Sequence, residues 1–169
     1  RLCPTWASAA DKDLATLPAG DVDRGLLVMN SSATDGAQNN TFDGLSVRLS
    51  RTNPGSIGVQ QLAVTTPTSA AGANSNNRYF NLDVANVAAG VYFKGGLAVP
   101  DLGTQLGTRY GGVTTIGGAS PGDIANGTDL TWGVRAAGQS GLKVFDCTIR
   151  NITGGGAGIS ARSFARSGR

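Results

Sequence analysis

Apolar and polar residues alternate in several short stretches of this chain. The clearest alternation covers residues 41–50, where Leu45, Val47 and Leu49 face one side and polar side chains face the other. A period of two predicts a strand with one buried face. Further strands are predicted at residues 26–29, 57–65, 78–84, 91–94, 128–135 and 144–149.

Turn residues separate these predicted strands at short intervals. Asn53, Pro54 and Gly55 lie between residues 41–50 and residues 57–65, so these two strands are predicted to form a hairpin. Seven to nine short strands favour an all-β fold, a single-domain antiparallel β-sandwich or barrel of the jelly-roll or immunoglobulin-like type. Its loops would be long and rich in Gly, Ser and Asn. No fixed period of 20–50 residues is evident, so a repeat solenoid is not expected.

Both ends of the chain are predicted to differ from the strand-rich middle. Residues 6–17 carry the spacing of one short N-terminal helix, with Ser8 as its cap and Asp11 three residues later. We expect residues 1–159 to form a single β domain. Residues 160–169 are predicted to leave it as a basic C-terminal arm.

Composition strengthens the all-β prediction. The 169 residues include 26 glycines, and only 15% of the residues are charged. Every acidic residue is Asp, so the chain lacks Glu, which is one of the common helix formers on protein surfaces. The net charge of +3 comes from the residues after Gly141, so no basic face for nucleic acid is expected. No apolar run reaches the roughly 18–20 residues that span a bilayer, so we expect no membrane insertion.

The two cysteines, Cys3 and Cys147, form the single possible disulfide pair. We predict that they are bonded, since a bridge across so long a loop contributes about 4–5 kcal/mol in a simple entropic treatment. The chain starts at Arg1 rather than Met, which favours removal of an N-terminal segment or a trimmed terminus. An oxidising compartment fits both observations, so we expect an extracellular, cell-surface or virion location.

The residue types exclude several kinds of chemistry. Because the chain has no His, it has neither a Ser-His-Asp arrangement nor a His-ligated metal site. Asp21, Asp23 and Gly25 resemble part of a calcium loop without its distal acid, and residues 156–161 fit a dinucleotide fingerprint outside its βαβ context. We therefore predict no cofactor, no metal and no enzymatic activity.

Residues 142–159, LKVFDCTIRNITGGGAGI, combine a short strand, an Asn and a glycine turn. This stretch resembles a rung of the right-handed parallel β-helix proteins. The resemblance covers under a fifth of the chain, and it implies a parallel β-helix as an alternative fold. It also implies a carbohydrate-active β-helix enzyme fragment as a further alternative function, without assigning any residue.

The leading functional expectation is a structural subunit of an external assembly, either a surface filament or a capsid-decorating or fibre protein. Its partners would be copies of itself or a related subunit. The possible intersubunit arm carries Arg162, Phe164, Arg166 and Arg169.

The alternative is a glycan-binding or adhesive module, since exposed aromatic rings stack on sugars. Tyr110 is the candidate contact, because it stands alone in a Gly- and Thr-rich stretch. Trp132 alternates with Leu130 and Val134 and is predicted to be buried. Four sequons are too common in such a sequence to argue strongly for glycosylation, and they lie at Asn30, Asn39, Asn126 and Asn151.

Overall fold

The structure is a computed structural model that describes residues 23–125, 131–154 and 157–162. Within these ranges the chain forms fifteen short strands and one 3-10 turn at Ala70–Gly72. The strands are β1 Arg24–Met29, β2 Thr41–Asp43, β3 Ser46–Arg48, β4 Ile57–Leu62, β5 Arg78–Phe80, β6 Asp83–Ala85, β7 Ala89–Lys94, β8 Asp101–Leu102, β9 Gln105–Gly107, β10 Thr114–Ile116, β11 Trp132–Ala137, β12 Gln139–Ser140, β13 Lys143–Phe145, β14 Cys147–Ile149 and β15 Ala157–Arg162.

Every pairing between these strands is parallel, and each strand pairs with its counterpart one coil of the chain later. Sheet 1 has the order β1, β4, β7, β11, β15, sheet 2 has β2, β5, β9, β13, and sheet 3 has β3, β6, β10, β14. A fourth, two-stranded pairing joins β8 to β12. The described chain is therefore a parallel β-solenoid in which four coils each contribute one strand to each of the three larger sheets, and β15 adds a fifth strand to sheet 1.

The predicted antiparallel sandwich or barrel is therefore wrong. Residues 41–50 and 57–65 do not form a hairpin, because β4 pairs in parallel with β1 and β7 instead. The turn at residues 53–55 carries the chain from sheet 3 of one coil to sheet 1 of the next. Turn residues and alternation are the same in both architectures, so they did not reveal the direction of pairing.

A repeat is present, although its spacing is irregular. The second residue of every sheet 1 strand is glycine, and the register places Gly25, Gly58, Gly90, Gly133 and Gly158 side by side. These glycines lie 33, 32, 43 and 25 residues apart in the chain. The prediction that no solenoid exists was wrong because loops of unequal length between strands conceal the repeat.

Single residues with positive φ turn the chain between sheets 2 and 3. Gly44 (φ 74°), Asn81 (φ 53°) and Asp146 (φ 49°) each separate two strands of one coil. The left-handed conformation suits Gly and is tolerated by Asn and Asp. It divides the strand predicted at residues 144–149 into β13 and β14, and that at residues 41–50 into β2 and β3.

Apolar side chains stack from coil to coil inside the solenoid. Val59, Val91 and Val134 are register partners on sheet 1, and each has no exposed surface. The Tyr79 ring lies between those of Phe42 and Phe93, with centroids 5.2 Å apart on each side. This interior column joins sheet 2 to sheet 1 and anchors the three-sided cross-section.

Several of the terminal predictions lie outside the described residues. The predicted helix at residues 6–17 is among them, and the part of the chain that the structure describes contains no α-helix. At the other end, β15 runs through Arg162 and pairs with β11, so the first three residues of the predicted arm belong to a strand. Phe164, Arg166 and Arg169 fall beyond the described part, and the arm stays a prediction.

Candidate functional site

A carboxylate lies in the interior of the solenoid, at the corner between sheets 1 and 2. Asp101 has no exposed surface. Its Oδ2 accepts hydrogen bonds from Gln61 Nε2 at 2.7 Å and Gln139 Nε2 at 3.0 Å, and its Oδ1 accepts one from the Asn74 backbone N–H at 2.8 Å. Burial raises the pKa of Asp101, against the opposing effect of these donors. Because every contact of this carboxylate is internal, Asp101 holds the corner together and offers no surface to a ligand.

Gln61 connects this carboxylate to the aromatic column. Its Oε1 accepts hydrogen bonds from Tyr79 Oη at 2.9 Å and from Asn77 Nδ2 at 3.1 Å. Burial raises the pKa of the Tyr79 hydroxyl, which favours its role as a donor. Both ends of the Gln61 amide are therefore satisfied, as a buried polar side chain requires.

No group of three or more His, Cys, Asp or Glu side chains capable of holding a metal occurs among residues 23–125, 131–154 and 157–162. No helix in the described part of the chain is long and apolar enough to cross a membrane.

Tyr110 projects from the loop between β9 and β10. Its side chain is 84% exposed, and its backbone has φ 51°, a left-handed conformation that is unusual for an aromatic residue. The Arg109 guanidinium lies over the Tyr110 ring at 4.0 Å from the centroid, and a side-chain hydrogen bond also joins the two residues. Arg109 also lies 5.5 Å from the centroid of the Phe80 ring. The tyrosine is thus supported on one ring face by a stacked cation.

Hydrogen bonds hold this loop against the neighbouring coils. Asn81 Oδ1 accepts a hydrogen bond from the Arg109 backbone N–H at 2.9 Å, and Asn81 Nδ2 donates to Asp43 Oδ1 at 2.6 Å. On the other side, the Thr108 hydroxyl donates to the Asp146 carbonyl at 2.6 Å. Tyr110 therefore extends from an anchored base.

A second aromatic group lies on the outer face of sheet 1. The Tyr92 and Trp132 rings have centroids 5.9 Å apart and planes inclined at 39°. The Arg135 guanidinium lies 4.4 Å from the Trp132 centroid and 5.3 Å from the Tyr92 centroid. All three side chains are half-buried.

Trp132 was expected inside the protein, and its partial exposure has a simple reason. Gly133 faces the interior, since a Cβ atom there would meet the Ile149 side chain, and the next residue, Val134, is also buried. Two successive inward positions break the alternation between Trp132 and Val134. The alternation of Trp132 with Leu130 and Val134 in the sequence therefore does not predict the burial of Trp132. Aligning the strands by their second-position glycines reveals the group, because that alignment places Tyr92 and Arg135 side by side.

The other predicted site residues are not brought together in the described part of the structure. Cys147 has no disulfide partner among the described residues; its half-buried thiol donates to the Phe145 carbonyl at 3.2 Å, and burial raises its pKa. Cys3 lies outside the described residues, so the disulfide stays a prediction. Of Arg162 only the backbone is described, in β15.

The sequons differ in accessibility. Asn30 is 1% exposed, and its amide bonds to the backbone of Ser32, Val64 and Thr65. Asn39 is exposed, Asn151 is half-buried, and Asn126 lies outside the described residues. Asn30 is therefore a poor glycan acceptor once the chain has folded.

Comparison of the chain with models of protein families, with curated proteins and with solved structures found no match.

Proposed function

We propose that this protein is a non-enzymatic structural subunit of an external assembly, such as a surface filament or a capsid-decorating or fibre protein. The observation that supports the proposal is the apolar edge of β1, the first strand of sheet 1. Within the described residues, β1 pairs only with β4, so its other edge has no strand partner there. Leu27 and Met29 on this strand are 41% and 51% exposed. An edge strand with apolar side chains is a template for pairing with another chain.

The exposed apolar surface continues onto the next coil. Met29 is the register partner of Leu62, and Val64, two residues beyond Leu62, is 54% exposed. The Val64 backbone N–H donates to Asn30 Oδ1 at 2.9 Å, which holds the segment beside β1. A second copy that added a strand to the free edge of β1 would cover Leu27 and Met29 from the side opposite to β4.

The test is light scattering coupled to size-exclusion chromatography across a range of protein concentrations. We expect the wild-type protein to form oligomers. The double variant Leu27→Lys, Met29→Lys should associate more weakly, with an apparent dissociation constant about tenfold higher or more. Leu97→Lys is the control, because Leu97 is 69% exposed but lies in a loop away from β1. A wild-type monomer at high concentration, or equal effects of the double variant and the control, would count against the proposal.

A second function, glycan binding, is favoured by the geometry of Tyr110. Aromatic rings contribute most to sugar binding when one face is free and the ring is held in place. Tyr110 meets both conditions, since it is 84% exposed and Arg109 stacks on it. We expect Tyr110→Ala to abolish the binding detected on a glycan array. Val113→Ala is the matched control, because Val113 is 63% exposed in the same loop. Unchanged binding by Tyr110→Ala would remove this site.

A further inference from the structure

The outer face of sheet 1 combines aromatic surface with positive charge. The described side chains of its five strands include three basic residues and no acidic residue, with the basic residues at Arg24, Lys94 and Arg135. Arg24 is already engaged by the Asp23 and Gly55 carbonyls and by Gln60. Arg135 contacts the aromatic rings, and the register places Lys94 beside Ala137, two residues along β11 from Arg135.

The Arg135 guanidinium lies over two aromatic rings and has no ion-pair partner among the described residues. It stacks on both Trp132 and Tyr92, at 4.4 Å and 5.3 Å from the two centroids. Guanidinium N–H groups lie in the plane of the group, so stacking leaves its edge available for a bidentate acceptor. No carboxylate of the described residues lies within 4.0 Å of it, because the two ion pairs found there belong to Arg48 and Arg51.

These features define the chemistry of a ligand. The half-buried Trp132 and Tyr92 side chains offer aromatic surface to a flat ring such as a pyranose, and the Arg135 fork suits a carboxylate next to that ring. Neighbouring coils repeat at about 4.8 Å along the solenoid axis, so one sugar unit extends over roughly one coil. Lys94 lies on the neighbouring strand, as the register partner of Ala137, and is the cation that would meet a second carboxylate of the same polysaccharide.

We propose that the Tyr92, Trp132 and Arg135 face of sheet 1 binds an acidic polysaccharide, with a sugar ring on the aromatic residues and its carboxylate on Arg135. This site is independent of Tyr110 and of the β1 edge. Its failure would therefore leave both proposed functions untouched.

The experiment compares two probes of one backbone by isothermal titration calorimetry. The first is a β-1,4-linked glucuronic acid oligosaccharide, and the second is a cello-oligosaccharide of the same length, which lacks the carboxylates. We expect the acidic probe to bind at least tenfold more tightly than the neutral one, and its affinity to fall as salt is added. Equal affinity for the two probes, no binding of the acidic one, or tighter binding of a single-stranded oligothymidylate would overturn the proposal.

Variants locate the site. Arg135→Ala is expected to weaken binding of the acidic probe about tenfold or more, and Arg135→Lys by a smaller factor because Lys keeps the charge but loses the planar fork. Arg78→Ala is the control, since Arg78 is exposed on β5 of sheet 2 and its removal changes the net charge equally. Thermal melting of each variant checks that the fold is kept. A loss in Arg78→Ala as large as that in Arg135→Ala would assign the binding to net charge and refute the site.

Discussion

Replacing Gly90 by Ala tests the solenoid directly, because this glycine occupies the repeated second position of sheet 1. A Cβ atom at Gly90 would lie 2.5 Å from Ile116 Cγ2 on sheet 3, and closer still to the Gly133 carbonyl oxygen of the next coil. The carbonyl belongs to the backbone of β11, which is held between β7 and β15. The added methyl group therefore has no flexible side-chain end to displace.

The expected cost follows from two opposing effects. Overpacking of a close-packed interior typically costs about 1–3 kcal/mol, whereas Ala in place of Gly stabilises by about 0.4–1 kcal/mol through the unfolded chain. Gly158→Ala separates these effects. Gly158 occupies the same position on β15, and a Cβ atom there would meet no atom of the described residues within 4 Å. The difference between the two variants therefore isolates the packing cost.

The assay is thermal unfolding of the two variants beside the wild-type protein. For a domain of this size, 1 kcal/mol corresponds to about 2–4 °C in Tm. We expect Gly90→Ala to melt about 2–12 °C below Gly158→Ala, and Gly158→Ala to melt at or slightly above the wild type. If the two variants melted within about 1 °C of each other, the close approach of sheets 1 and 3 at Gly90 would be refuted.

Three further predictions concern other parts of the solenoid. Burial raises the folded-state pKa of Asp101, so its contribution to stability is complete below the unfolded value of about 3.9 and is lost as pH rises through the folded value. In the wild-type protein, the free energy of unfolding measured by urea denaturation should therefore decline as pH rises above about 4. In Asp101→Asn this decline should be absent. Asn81→Ala should destabilise the protein by about 1–3 kcal/mol, because it loses the hydrogen bonds to Asp43 and Arg109 and strains the positive φ. Asn81→Gly should destabilise it by less, because Gly accommodates the positive φ and loses only the hydrogen bonds. Chemical denaturation would test this order. In a glycosylating host, mass spectrometry should find glycan at Asn39 and not at Asn30, and the reverse would contradict the burial of Asn30.

The sequence by itself determined the β content and the positions of most strands. Alternation marked residues 57–65 and 78–84 correctly as strand-containing, because a half-buried strand has a period of two in any sheet. The abundance of Gly and Asn was also informative, since these residues occupy the positive-φ corners such as Gly44 and Asn81. Their role as corners between sheets, rather than as loops, was not visible in the pattern.

Only the tertiary structure decided the direction of pairing and the membership of the outer faces. Parallel pairing joins residues about 25 to 43 positions apart, and the loops that set this spacing differ in length from coil to coil. Alternation along one strand is local and does not specify which strand lies beside it. For the same reason Tyr92 and Arg135, 43 positions apart in the chain, meet beside Trp132 only once the coils stack.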